Sequence, residues 1–239
     1  MASQKIITFH MITLFPEAFG SYFKSSIIGR AIREKKIRVK FYNPRDFTKD
    51  TWRRVDQRPY GGGPGMVLEA ESILKAVEAA LRDGRKSKVE SRRTKKKKST
   101  LHPPPSTIIY FFDRSGKEFT NADARILANK ARNIVFICGH YEGVDARVQK
   151  ILKAKKISIG PYILTGGELP AMVAVDAVSR HIPGVLGKFE SLEEERTASS
   201  EVYTRPEVLI WKDKKYTVPK VLLTGNHKKI AEWKAKRTK

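Results

Sequence analysis

The chain has 239 residues, 40% of them hydrophobic, enough for one good core and a small second domain. No apolar run reaches the length of a membrane span, the N-terminus enters a strand-like pattern without a secretory layout, and one cysteine excludes a disulfide framework, so a cytoplasmic α/β protein is expected. Forty-eight basic residues against twenty-five acidic give a net charge of +23, which favours a polyanionic partner, nucleic acid first.

In chain order, Lys5–Thr13 and Ile37–Tyr42 read as strands joined through a helical stretch near Glu17–Lys36. Arg58 to Met66, RPYGGGPGM, is too rich in glycine for a helix or a central strand and reads as a loop. Leu68–Leu81 is apolar at helical spacing and polar between, which predicts an amphipathic helix. Arg85–Lys98 carries nine basic residues and one acidic. It reads as a disordered basic insert, spanning about 84–106 and able to touch RNA phosphates without specificity. HisProProPro, His102 to Pro105, closes it and cannot be helix or central strand.

Thr107–Phe112 is a further buried strand and Asn121–Asn133 a helix. Ile134–Cys138 is a buried strand, ended by Gly139. Strands alternating with helices predict a doubly wound parallel sheet over residues 5 to about 185. The polar stretch 188–202 reads as a linker, and Tyr203–Lys239 as a small, mostly helical basic module.

Ile157 to Gly187 packs a short apolar strand, a glycine-rich loop and an amphipathic helix beginning near Glu168. Gly166 and Gly167 would open the main chain to a ligand, and a helix N-terminus just behind offers unpaired N–H donors. A plain strand-to-helix turn is the alternative for such a loop taken alone.

It is not alone. LFPEAF (Leu14–Phe19), NPRDF (Asn43–Phe47), VDQRPYGGGPGM (Val55–Met66) and CGHYEGVDARV (Cys138–Val148) precede it, and YTRPEVL (Tyr203–Leu209) and VPKVLLTGNHKKIAEW (Val218–Trp233) follow. With SIGPYILTGGELPAMVAVDAVSRHIPGVLG between them, the chain resembles the bacterial tRNA (guanine-N1)-methyltransferase family, TrmD, over nearly its whole length. That resemblance implies a SPOUT-type α/β fold: a parallel sheet with a deep trefoil knot at about 107–187, within a catalytic domain over 1–187. A linker over 188–202 and a small C-terminal tRNA-binding domain over 203–239 would follow. It implies a homodimer, a tRNA anticodon stem-loop as partner, and 1-methylguanosine at position 37 as product, where guanine 36 precedes it.

The cofactor implied is S-adenosylmethionine, and the pocket carried over by motif is Gly139, Glu142, Ile159, Gly160, Pro161, Tyr162, Ile163, Leu164, Gly166 and Gly167. Apolar side chains and main-chain groups suit the flat face and edge atoms of adenine. Pro161 stands where most of the family has Asp, and His140 where it usually has Arg. The family's magnesium requirement carries over without any cluster at metal-ligand spacing.

The reaction needs a base for the guanine N1 proton and a positive group for charge developing toward O6. By resemblance Arg180 is that positive group. The family's base is an Asp in the interdomain linker, and its place falls on Glu195 in a shortened, altered stretch, with Glu193 and Glu194 as neighbours. Glutamate has the chemistry, but its extra methylene moves the carboxylate, and a misplacement of about 1 Å costs on the order of a hundredfold. Asp56 matches a guanine-reading carboxylate; Arg30, Arg58, Tyr60 and Arg205 are the other RNA-binding candidates. Two rival readings stay open: a SPOUT methyltransferase with another RNA target, and an RNA-binding protein that has lost its base.

Overall fold

In the computed structural model, which describes residues 6–86, 103, 106–186 and 201–236, the first strand is Ile7–Ile12 (β1), buried at every position. Burial of both faces is what a central strand of a parallel sheet requires. The chain passes through a 3-10 turn at Pro16–Phe19 into Gly20–Lys24 (α1) and Ser26–Arg33 (α2). It returns as Ile37–Tyr42 (β2), parallel to β1 with Ile7 opposite Ile37. Asp56–Gln57 (β3) and Val67–Leu68 (β4) form a short antiparallel ribbon that brackets the glycine-rich loop.

Five further elements build the rest of this unit around the sheet: Ala70–Lys86 (α3), Thr107–Glu118 (β5), Asn121–Lys130 (α4), Asn133–Ile137 (β6) and Ala146–Leu152 (α5). Lys155–Ser158 (β7) and Glu168–Arg180 (α6) complete it. The strand order is β2-β1-β6-β5-β7, with every neighbouring pair parallel. Alternation sorts the core: Ile7, Phe9, Met11, Ile134 and Phe136 join one cluster with α1, α2, α4 and α6. Ile12, Val135 and Ile137 join the other with α3 and α5. Helices therefore cover both faces, as the strand–helix alternation predicted.

The differences lie at boundaries. Helix α3 continues to Lys86, so the expected insert does not begin at 84; residues 87–102, most of it, lie outside the described residues. Helix α4 starts in a capping box between Thr120 and Asp123 and stops at Lys130, because Asn133 is already the first residue of β6. Strand β5 runs on to Glu118, with a register shift: Phe112 and Lys117 both oppose Ile157, so Asp113–Gly116 loop out of the ladder. Gly116 permits this, since a Cβ there would lie 2.6 Å from the Ile157 nitrogen.

A polar cluster is buried beside β1. His10, 1% exposed, lies 3.1 Å from both Tyr42 Oη and Asn133 Oδ1, and Tyr42 donates to Asp83 at 3.1 Å. Burial pushes the His10 imidazole below its ordinary 6.5. The unfolded chain therefore binds a proton that the folded chain refuses. Stability is fully present above 6.5 and is lost as the pH falls toward the lowered folded value. Chemical denaturation between about pH 8 and about pH 5 should show wild type losing stability along that slope, and His10→Gln losing less of it.

The described residues fall into two compact units, divided between Val185 and Leu186. In the second, Val208–Trp211 (β8) and Lys214–Thr217 (β9) form an antiparallel hairpin, turning at Lys212 and Asp213 with φ of +48° and +61°. Lys220–Leu223 (α7) and His227–Ala235 (α8) follow, α8 capped by Asn226 Oδ1 accepting from the Lys229 N–H at 3.1 Å. The sequence pattern indicated the helices; the hairpin is an addition, its Lys-Asp turn lacking the glycine that usually marks one. Among the described residues no helix is long and apolar enough to cross a membrane.

Candidate functional site

The cofactor-pocket residues expected from the sequence lie in loops at the carboxyl ends of β6 and β7, where open parallel sheets form ligand crevices. After β6 the chain turns at Gly139, and His140 makes an antiparallel bridge with Gly166. The Gly167 N–H donates to the Gly139 carbonyl at 3.0 Å. Neither Gly166 nor Gly167 has a positive φ. Their need for glycine is proximity: a Cβ on Gly167 would meet Cys138 Cα at 2.5 Å, and one on Gly166 the His140 ring at 2.4 Å. The close approach expected for a ligand is made here by the protein's own chain.

Glu168, first residue of α6 and 6% exposed, fixes this junction. Its Oε1 accepts from Thr13 Oγ1 and its Oε2 pairs with His140 Nε2, both at 2.6 Å. Thr13 Oγ1 also accepts from the Phe15 N–H at 3.0 Å, and the Phe15 ring meets the His140 ring edge-on at 4.8 Å. Three chain segments are thus tied at one carboxylate. Burial, with the Glu168 charge beside it, pushes the Cys138 thiol well above its usual range.

Between these loops lies a cavity of about 340 Å³, within the range of small-molecule sites. Gly139 and Glu142 line it from one side, and Ile159, Gly160, Tyr162, Ile163, Leu164, Gly166 and Gly167 from the other. Pro161 does not line it, and His140 does. Ser158 Oγ fixes the turn, donating to the Gly160 carbonyl at 2.9 Å, while Tyr162 Oη donates to the Ile159 carbonyl at 3.0 Å. Main-chain turns, apolar side chains and a few polar groups fit a nucleoside-bearing ligand.

A third wall was not apparent in the sequence. The Asp113–Gly116 excursion carries Asp113 and Arg114 into the lining, with Phe111 and Phe112 before them and Lys156 of β7 opposite. Lys156 Nζ lies 2.8 Å from Asp113 and holds that carboxyl at about 2, well below its ordinary value. The available signal was position: a charged turn at the end of a buried parallel strand.

The glycine-rich loop adjoins this cavity. Gly61, Gly62, Gly63 and Gly65 all have positive φ, between +79° and +106°. Beyond them the Glu142 N–H donates to the Met66 carbonyl, the Leu68 N–H to the Gly143 carbonyl and the Asp145 N–H to the Leu68 carbonyl, each at 3.0 Å. Asp56 is half-buried on β3, while Arg58 and Tyr60 are exposed.

The remaining candidates are dispersed. Arg30 Nη2 donates to the Val185 carbonyl at 3.0 Å. Arg205 is exposed in the second unit. Arg180 is half-buried, the last residue of α6, and its side chain makes no hydrogen bond or ion pair among the described residues. Twelve residues of helix put it about 18 Å from Glu168, so one chain does not bring it to the cavity. Glu193, Glu194 and Glu195 lie outside the described residues. Among those described, no three His, Cys, Asp or Glu side chains are grouped to hold a metal ion.

The family model described as tRNA (Guanine-1)-methyltransferase TrmD matches residues 7–239. The chain belongs to the TrmD family. It is 40% identical over 240 residues to the tRNA (guanine-N(1)-)-methyltransferase of Buchnera aphidicola subsp. Acyrthosiphon pisum, covering 99% of this chain and 91% of that relative. To the Pseudoalteromonas atlantica protein of that name it is 38% identical over 242 residues, covering 100% and 82%. To the one from Dehalococcoides mccartyi it is 41% identical over 233 residues, covering 95% and 84%. Residues of two of the TrmD segments, CGHYEG and SIGPYILTGGELP, form facing walls of the cavity.

Proposed function

We propose that this chain methylates N1 of guanine 37 in tRNAs carrying guanine 36, beside the anticodon. That it is an S-adenosylmethionine-dependent tRNA guanine-N1 methyltransferase follows from its family. The observation that carries the reading is the convergence of the motif-matched cofactor residues, all but Pro161, on one cavity.

S-Adenosylmethionine supplies a methyl group already activated on a sulfonium. Gly139, Ile159, Leu164, Gly166 and Gly167 would hold its adenosine end through main-chain groups and apolar surface, with the Glu142 carboxylate beside them. We read the loops at 139–146 and 159–167 as part of a trefoil knot within a catalytic domain over 1–187. Asp56 would accept from the 2-amino group of guanine and orient the base, leaving the N1 hydrogen to the general base. Glu195 in the 188–202 linker would take the N1 proton, and Arg180 would lay its fork of donors against O6 as charge develops there. Chemistry on a ring atom requires the base to leave its stack, and an anticodon loop offers one at low cost. Arg30, Arg58, Tyr60 and Arg205 would hold the stem-loop, Arg205 from a tRNA-binding domain over 203–239. Magnesium would enter without a protein site among the described residues.

The position of Arg180 favours a homodimer. Helix α6 exposes Leu169 (56%) and Val173 (49%), and the loop before it exposes Ile163 (80%). A two-fold contact along that face would run two α6 helices antiparallel, setting Arg180 of one copy near the cavity of the other. The test is methyl transfer from labelled S-adenosylmethionine to an unmodified G36–G37 tRNA transcript, with wild type beside Glu195→Gln and the modified base mapped. Methylation at guanine 37 that is lost in Glu195→Gln supports the whole reading. Activity in both variants moves the base elsewhere. A folded, inactive wild type that binds cofactor and tRNA would favour an RNA-binding protein instead.

A further inference from the structure

The Trp52 side chain is 79% exposed. A lone exposed apolar residue is ordinary. What sets this one apart is the loop that carries it. Asp50 Oδ1 accepts from the Trp52 N–H at 2.8 Å and the Arg54 N–H at 3.1 Å, and Arg54 Nη2 closes on Asp50 Oδ2 at 2.9 Å. Thr48 Oγ1 accepts from the Asp50 N–H and donates to the Arg54 carbonyl, both at 3.1 Å. Arg45 and Arg53 each donate to the other's carbonyl at 3.3 Å, and Arg53 pairs with Asp46. Arg53 is held at φ +57°, a conformation that a residue with a side chain keeps only where its surroundings impose it.

The result is a fixed backbone with an indole standing off it. Among the described residues the ring stacks on no other aromatic group and its Nε1–H has no partner. Arg45, Arg53, Arg54 and Arg58 surround it in sequence. Four residues on, Asp56 opens β3, whose partner β4 is hydrogen-bonded to Gly143 and Asp145 of the cavity loop. The platform is thus connected by backbone hydrogen bonds to the cofactor cavity.

We propose that Trp52 is a stacking platform for an unpaired base of the tRNA substrate, an inference that rests on tRNA being that substrate. An exposed indole offers a flat π-face that any base can cover, and Arg45 and Arg58, neither paired with a carboxylate among the described residues, leave cations near it in sequence for the phosphates. A pinned backbone lets the contact form without ordering a loop at the moment of binding.

The test measures dissociation constants of the full chain for an unmodified tRNA transcript over a range of salt. Trp52→Ala should weaken tRNA binding by about 5- to 150-fold, the effect of one base–aromatic stack, with the salt slope and S-adenosylmethionine affinity unchanged. Trp52→Phe should recover most of the loss. Trp52→Ala binding within about twofold of a wild type that methylates tRNA overturns the platform alone. Phe as weak as Ala, or a reduced salt slope, overturns stacking. Loss of self-association by Trp52→Ala in sedimentation would assign the ring to a contact between copies instead. A folded wild type that does not bind tRNA overturns the substrate reading as well.

Discussion

Arg180→Ala is expected to lower kcat by about 10²–10³ while leaving S-adenosylmethionine affinity unchanged. A group that acts on charge developing toward guanine O6 contributes to the transition state and little to the ground-state complex, so kcat and kcat/KM should fall together. Placement at the far end of α6 from the cavity makes the separation clean, since truncation there leaves the cavity walls untouched. Arg180→Lys should recover only part, because an ammonium keeps the charge and loses the planar fork. Single-turnover kinetics with saturating cofactor measure this directly. A tenfold or greater loss of cofactor affinity would show that Arg180 maintains the pocket instead. If kcat is unchanged, the assignment falls.

Glu168→Ala should have the largest effect on stability, a loss of about 1–3 kcal/mol in denaturant unfolding, as for buried donors left without their acceptor. The methyl leaves the Thr13 hydroxyl and the His140 ring without their shared acceptor, and both lie in segments that reach the carboxylate from elsewhere in the chain. The pocket loops at 139–141 and 165–167 lose their common anchor, so cofactor affinity should fall with stability. Glu168→Gln, which keeps an acceptor for Thr13, should fall between. A loss below about 1 kcal/mol in the alanine variant would mean that the bridge between His140 and Gly166 holds the junction without the side chain.

Burial on two faces made the central strands legible: Asn133–Ile137 is apolar after its first residue, and Ile7–Ile12 is apolar at four of its six positions. Strand β7 begins at Lys155, two residues before its apolar part, because lysines at its start leave the ladder intact while reading as polar. The continuation of β5 to Glu118 was illegible for a related reason: Asp113 to Lys117 holds no apolar residue, and only the approach of Ile157 makes it an excursion from a strand. Two walls of the cavity followed from glycine-rich motifs. The third, with Asp113, Arg114 and Lys156, depends on that excursion. The Glu168 pairings join residues 155 and 28 positions apart, and nothing local in any of the three segments announces them.

Cys138 is the chain's one cysteine, 1% exposed, and Gly167 packs against its backbone so closely that no side chain fits between. A thiol reagent can reach that sulfur only when the sheet end and the loop over it part company. Labelling rates would therefore time the excursions of this wall without any engineered probe. Occupancy of the cavity should slow them in proportion to ligand affinity, which would make a single native atom a clock for site closure.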